Sequence, residues 1–205
     1  MTNRRNVYKN KQIFINQKKL TEMKTKRFLV AMMAFAAVMF SACEKDNKAE
    51  NLADNTLTYN ESSYTFGDVE VFYYHPELTV VSAYTTDTMA DGRHLLAVEG
   101  IHITPDMWNK TLDLTNVGGW SEGTLVELHF SGDITLSFSA YCNGDAYASG
   151  ELDGVNYENE SIFKSGTFKV TGKNDGTPIT IILDGELKNG KQLKMKIVTP
   201  KYTVE

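Results

Sequence analysis

Residues 56–205 read as one antiparallel all-β domain, a β-sandwich built of hairpins and meanders, with a closed barrel as the alternative. Three observations carry that reading. Apolar side chains recur at every second position in short runs, the period of a half-buried strand. Glycines and Asn-Gly pairs separate those runs at hairpin spacing. No segment after Cys43 sustains a helical period.

Taken in order, the first strands are expected at Tyr64 to Phe66, Val69 to Tyr74, Leu78 to Tyr84, Leu95 to Ile103 and Leu112 to Leu114. Between the last two, Thr104-Pro105-Asp106-Met107-Trp108-Asn109 reads as a capped helical turn. Proline suits an early helical position, and an acidic neighbour favours the positive end of the helix. Val126, Leu128 and Phe130 then alternate with Glu127 and His129, and Ser131-Gly132-Asp133 turns the chain. Ile134, Leu136, Phe138 and Ala140 face one way while Thr135, Ser137 and Ser139 face the other, up to a tight turn at Asn143-Gly144.

The C-terminal third is a three-stranded meander. Phe168 and Val170 lead to a turn at Lys173-Asn174-Asp175-Gly176. Ile179, Ile181, Leu183 and Leu187 point inward opposite Thr180, Asp184 and Glu186. After Asn189-Gly190, Leu193, Met195 and Ile197 return against Lys194 and Lys196. Roughly ten short strands suit either a sandwich or a lipocalin-like barrel, and no internal repeat recurs at a fixed period.

The N-terminal part follows a different logic. Lys24, Lys26 and Arg27 precede the apolar run Phe28 to Phe40, which ends in Ser41-Ala42-Cys43. A basic region, a short apolar region and small residues in that order form an export signal. The run is short of the roughly 20 apolar residues of a membrane span. Ser41-Ala42-Cys43 resembles the lipobox of bacterial lipoproteins, with Phe40 where that family prefers leucine. The resemblance implies that residues 23–42 are a lipoprotein signal peptide and that Cys43 is lipidated as the new N-terminus. Residues 1–22, basic and without apolar period, read as an over-extended start ahead of Met23, with a long basic leader as the alternative. Residues 43–55 read as a flexible polar tether. Glu44-Lys45-Asp46 loosely resembles the surface-export signal that follows the lipid cysteine in some Gram-negative anaerobes.

Removing the leader changes the charge. Nine of the 21 Lys and Arg precede Cys43 but only one of the 26 Asp and Glu does, leaving 12 basic and 25 acidic residues, formally −13. Phosphate backbones repel such a chain, which argues against nucleic-acid partners. With Cys43 acylated, Cys142 is the only other cysteine and no intrachain disulfide forms; it reads as a small buried apolar residue.

Chemistry-bearing motifs are sparse. Gly119-Trp120-Ser121-Glu122-Gly123 matches G-x-S-x-G, but the residues that follow alternate as a strand where a nucleophile elbow needs a helix. His75, His94, His102 and His129 lack metal-site spacing, and His102 and His129 are expected on an outer strand face. Glu151, Asp153, Glu158 and Glu160 surround the turn at Leu152–Asn156, without the alternating Asp pattern of a calcium loop. No cofactor, metal site or catalytic residue is expected.

Aromatic residues carry the stronger hint. Trp120 between glycines is either a plug over one end of the core or an exposed platform for a sugar ring or a partner. Tyr73 and Tyr74 break the alternation at the end of their strand, as a strand covered on both sides or lining a cavity would. Trp120, Tyr73 and Tyr74 are therefore the candidate ligand-binding residues.

The lipobox, the polar tether and the glycine-punctuated meander from Ser165 to Val198 together resemble small all-β lipoproteins of gut-type Gram-negative anaerobes. That class implies an outer-membrane-anchored, non-catalytic module that binds a glycan or small ligand at the cell surface. A structural component of the envelope or a pilus, docked to another envelope protein, is the alternative reading, and a hydrolase using carboxylates or Ser121 is a third. Fold alone does not choose among them.

Overall fold

A computed structural model describes residues 48–204; Cys43, the apolar run before it and residues 44–47 of the tether lie outside the described residues. The strands are β1 (Thr56–Tyr59), β2 (Ser62–His75), β3 (Leu78–Thr85), β4 (Leu96–Ile103), β5 (Thr111–Asp113), β6 (Thr124–Gly132), β7 (Leu136–Asn143), β8 (Asp145–Leu152), β9 (Val155–Glu158), β10 (Phe163–Thr171), β11 (Thr180–Leu187) and β12 (Gln192–Val198). They form one 12-stranded sheet in the order β5-β10-β11-β12-β1-β2-β3-β4-β6-β7-β8-β9. Strand neighbours pair antiparallel throughout, and the sheet curls into a half-barrel. The expected all-β architecture is present, and its single curled sheet lies on the barrel side of the two alternatives.

β2 makes the single sheet possible. Its first residues pair with β1, Thr65 opposite Thr56, and its later ones pair with β3, Phe66 opposite Thr85 through His75 opposite Leu78. One 14-residue strand thus serves both halves, where two strands, Tyr64 to Phe66 and Val69 to Tyr74, were expected. Gly67-Asp68 looks like a break in sequence, but the chain only shifts register there. A Cβ on Gly67 would lie 2.0 Å from Thr86 Cγ2, so a side chain at the bend would have to displace that of exposed Thr86.

The concave side holds one continuous core drawn from both halves. β11 shows the cause plainly: Ile181, Leu183 and Leu187 are buried while Thr180, Ile182, Asp184 and Glu186 alternate with them at the surface. Phe138 of β7 meets Phe163 of β10 edge to face, ring centres 5.2 Å apart, joining the two halves across the interior.

Turns close both ends. At one end Asn189 donates to Asp153 (2.8 Å), Lys191 stands over the Tyr59 ring and Lys188 pairs with Glu160. At the other, Asn174 Oδ1 accepts from Thr79 (3.0 Å) and from Tyr202 (3.1 Å), while its amide donates to the Pro76 carbonyl. Burial and nearby Asp175 raise the Tyr202 phenol above its ordinary value, so it stays a neutral donor there.

Two short helical turns connect the halves. The expected one appears as a 3-10 turn at Pro105–Met107, after which Trp108 bridges to Val170 and the chain crosses to pair as β5 against β10. A second, Val117–Gly119, returns the chain to β6.

The segment read as a tether is bound to the domain from Lys48 onward. A 3-10 turn at Ala49–Asn51 lies across the outer face of β11 and β12, with Ala49 fully buried. The Ala49 amide donates to Asp184 (2.9 Å), Glu50 faces Lys169, and Lys196 donates to the Leu52 carbonyl (3.3 Å) and pairs with Asp54 (2.9 Å). Lysines and Asp184 on the outer strand positions give this polar strap its partners.

Candidate functional site

The outer face of β4, β6, β7, β8 and β9 carries a polar trough. Register alone assembles it. Glu127 lies opposite Ser139, Ser139 opposite Ser149, and Ser149 opposite Glu158. In the next row Glu99 lies opposite His129, His129 opposite Ser137, and Ser137 opposite Glu151. Phe138, Ala140 and Ala148 alternate inward to the core, so the serines must face out. Short serine side chains between taller Glu and His rows leave a depression of about 250 Å³, which continues over Ser137 and Ser149 toward Glu151 and Glu158.

Gly150 sits under this trough. A Cβ there would be 2.2 Å from the Ser137 carbonyl oxygen and 2.8 Å from Ile162 Cγ2, so β7, β8 and the chain after β9 approach as closely as they do only because the side chain is missing.

One wall is His102 and Glu127. His102 Nδ1 stands 2.6 Å from Glu127 Oε2, yet the nitrogen lacks a hydrogen bond of acceptable direction. The two groups thus approach closely without a directed hydrogen bond, and the side chains are 28% and 41% exposed. At one end of the trough Tyr141 and Tyr147 lie opposite each other across β7 and β8, ring centres 5.3 Å apart and tilted by 31°. Tyr141 is 42% exposed.

The three residues expected to bind ligand do not converge. Trp120 is 8% exposed, and its indole donates to the Asp113 carbonyl at 2.8 Å, so it covers the core beside β5. Asp113 is itself tied down: its carboxylate accepts from the Thr115 hydroxyl (2.7 Å) and amide (2.8 Å), which holds it below its ordinary pKa. Tyr73 lies opposite Thr79 and is half-buried at the end of the half-barrel. Tyr74 falls in a register irregularity and is 65% exposed.

Other candidates separate as well. The Ser121 hydroxyl accepts from Lys110 Nζ (3.2 Å), and the chain leaves as strand β6, so the nucleophile-elbow geometry is absent at this motif. His94 stacks on Tyr84 and sits 2.7 Å from the Thr85 carbonyl; the His75 ring accepts from the Glu77 amide. Asp153 and Glu160 are engaged by the β11–β12 turn, while Glu151 and Glu158 face the trough. Among the described residues no three His, Cys, Asp or Glu side chains are grouped to hold a metal. Cys142 is half-buried, its sulfur 3.5 Å from the Trp120 carbonyl.

Tyr141, Tyr147 and Ser149 escaped the sequence reading, which put Ser137 and Ser139 on the face opposite the core without a role, although a signal exists. Ser137, Ser139 and Tyr141 mirror Glu151, Ser149 and Tyr147 about Gly144, the arrangement a hairpin centred there would stack on one face. No family model, no curated protein and no solved structure matches the chain. Among the described residues no helix is long and apolar enough to cross a membrane.

Proposed function

We propose that this is a lipid-anchored envelope module that binds a glycan non-catalytically along the outer trough of β4–β9. The observation that supports it most is the pairing of exposed Tyr141 with half-buried Tyr147 at the end of a serine-floored groove. A sugar ring offers an apolar face to an aromatic side chain and hydroxyls to Ser139, Ser149, Glu127 and His102, the combination a mostly open binding groove requires. The anchor itself rests on the Ser41-Ala42-Cys43 signal.

Calorimetric titration of neutral, amino-substituted and acidic oligosaccharides tests the reading. Binding of at least one class, weakened about tenfold or more by Tyr141→Ala, a change of roughly 1.4 kcal/mol, is the expected result. Saturation by none of them would remove it. A second reading, docking to another envelope protein, is favoured by the exposed Phe72 and Tyr74 beside the β2–β3 hairpin. It predicts a crosslinked partner lost in a Phe72→Ser, Tyr74→Ser chain.

A further inference from the structure

We propose that the domain lies with its β10–β12 half against an anionic lipid surface and its grooved β4–β9 half directed away; this rests on acylation of Cys43. Two independent observations carry the orientation, one from chain length and one from charge.

The strap supplies the first. Because the chain is bound to the domain from Lys48, only Glu44 to Asn47 separate Cys43 from that point of attachment. Five residue steps reach at most about 18 Å when fully extended. The 14 residues of β2 alone run about 46 Å at 3.3 Å each, so the leash is shorter than the body it holds. Its attachment lies on the outer face of β11 and β12, where Ala49 meets Asp184 and Glu50 meets Lys169. That face must stay near the anchor.

Charge supplies the second. Residues 164–205 hold eight of the 12 Lys and Arg that follow Cys43 and four of the 25 Asp and Glu, formally +4; residues 43–163 hold the other four and 21, formally −17. On the outer β10–β12 face Lys164, Lys169 and Lys196 pair with Glu186, Glu50 and Asp54, so the face is close to balanced. The trough presents Glu99, Glu127, Glu151 and Glu158, with no lysine or arginine among its lining residues. Phospholipid phosphates repel that acidic face over a Debye length of about 8 Å and tolerate the balanced one. The two effects select the same orientation.

The test uses the full-length acylated protein in vesicles of phosphatidylethanolamine and phosphatidylglycerol. A fluorophore is placed at Thr167→Cys on outer β10 or at Glu158→Cys on β9, each with Cys142→Ser, and is quenched by nitroxide carried on the lipid headgroups. Quenching several-fold stronger at 167 than at 158 is expected. Insertion of about 20 Gly/Ser residues after Asn47, which lengthens the leash beyond the domain, should remove the difference. Equal quenching at both positions, or a difference unchanged by the insertion, overturns the orientation while leaving the anchor intact. Failure to sediment with vesicles overturns acylation, and the orientation with it. The unsubstituted chain gives a parallel readout: vesicles should protect Lys164 from amine acetylation and leave Glu158 open to carboxyl labelling.

Discussion

Trp120 offers the sharpest test of how the aromatic residues divide between fold and function. Its indole is 8% exposed and its Nε1 donates to the Asp113 carbonyl at 2.8 Å. A tryptophan buries on the order of 200 Å², worth about 5 kcal/mol at 25 cal/mol per Å² before the part that alanine retains is deducted. The Asp113 carbonyl would keep only the Asn116 amide at 3.4 Å, so a weakened hydrogen bond adds roughly 1 kcal/mol. Trp120→Ala should therefore lower unfolding free energy by about 3–5 kcal/mol, and Trp120→Phe by about 1–2. Urea unfolding with an unchanged m-value measures it. Glycan affinity of the folded Trp120→Phe protein should equal that of the parent, whereas Tyr141→Ala should cost affinity and less than about 1 kcal/mol of stability. A Trp120→Ala chain that loses under 1 kcal/mol but no longer binds would refute the assignment and make Trp120 the platform.

Three further outcomes follow from the same geometry. Gly150→Ala must push the Ser137 carbonyl from a 2.2 Å contact and should cost about 1–3 kcal/mol, read by thermal unfolding; an unaltered midpoint would mean that β7 and β8 yield freely. Asp113 and Asp175 are held below the ordinary aspartate value near 3.8 by the Thr115 and Thr177 hydroxyls and amides. A depressed folded pKa stabilises above the unfolded value and loses that contribution as pH falls through the folded one, so the urea midpoint should decline below about pH 4 and decline less in an Asp113→Asn, Asp175→Asn chain. Ala49→Asp should release the strap, exposing residues 48–54 to protease and fast amide exchange while β11 and β12 stay protected; retained protection at Leu52 would contradict its docking.

The β10–β12 meander was legible because apolar inner positions alternate with polar outer ones from Ile179 to Leu187, with Ile182 the outer exception and Gly185 the inner one, and from Leu193 to Ile197, and its turns carry Asp-Gly and Asn-Gly. β8 and β9 were not. Asp145-Ala-Tyr-Ala-Ser-Gly-Glu has no β-branched residue, and Ala148 and Gly150 fill inner positions where their small size suits Ile162 but gives little periodic signal. β1 was missed because Thr56–Tyr59 buries one residue completely, Leu57, and continues a polar segment. The trough was illegible for a related reason: its walls come from β4, β6 and β9, and only pairing across strands brings Glu127 and His102 together. Tyr73 and Tyr74 drew notice as neighbours in sequence, while the strand ends there in a register shift that separates them.

The placement of the two shortest outer strands bears on life at high density. The sheet ends at β5, three residues long, and at β9, four residues long; beyond them its margins pass to β10 and to the Asp145–Ala148 part of β8. Asp113 closes one and Glu158 the other, and a foreign strand adding there would meet a carboxylate at once. Copies crowded side by side thus meet only short end strands that finish in carboxylates, which disfavours sheet-to-sheet growth in a chain so rich in β structure.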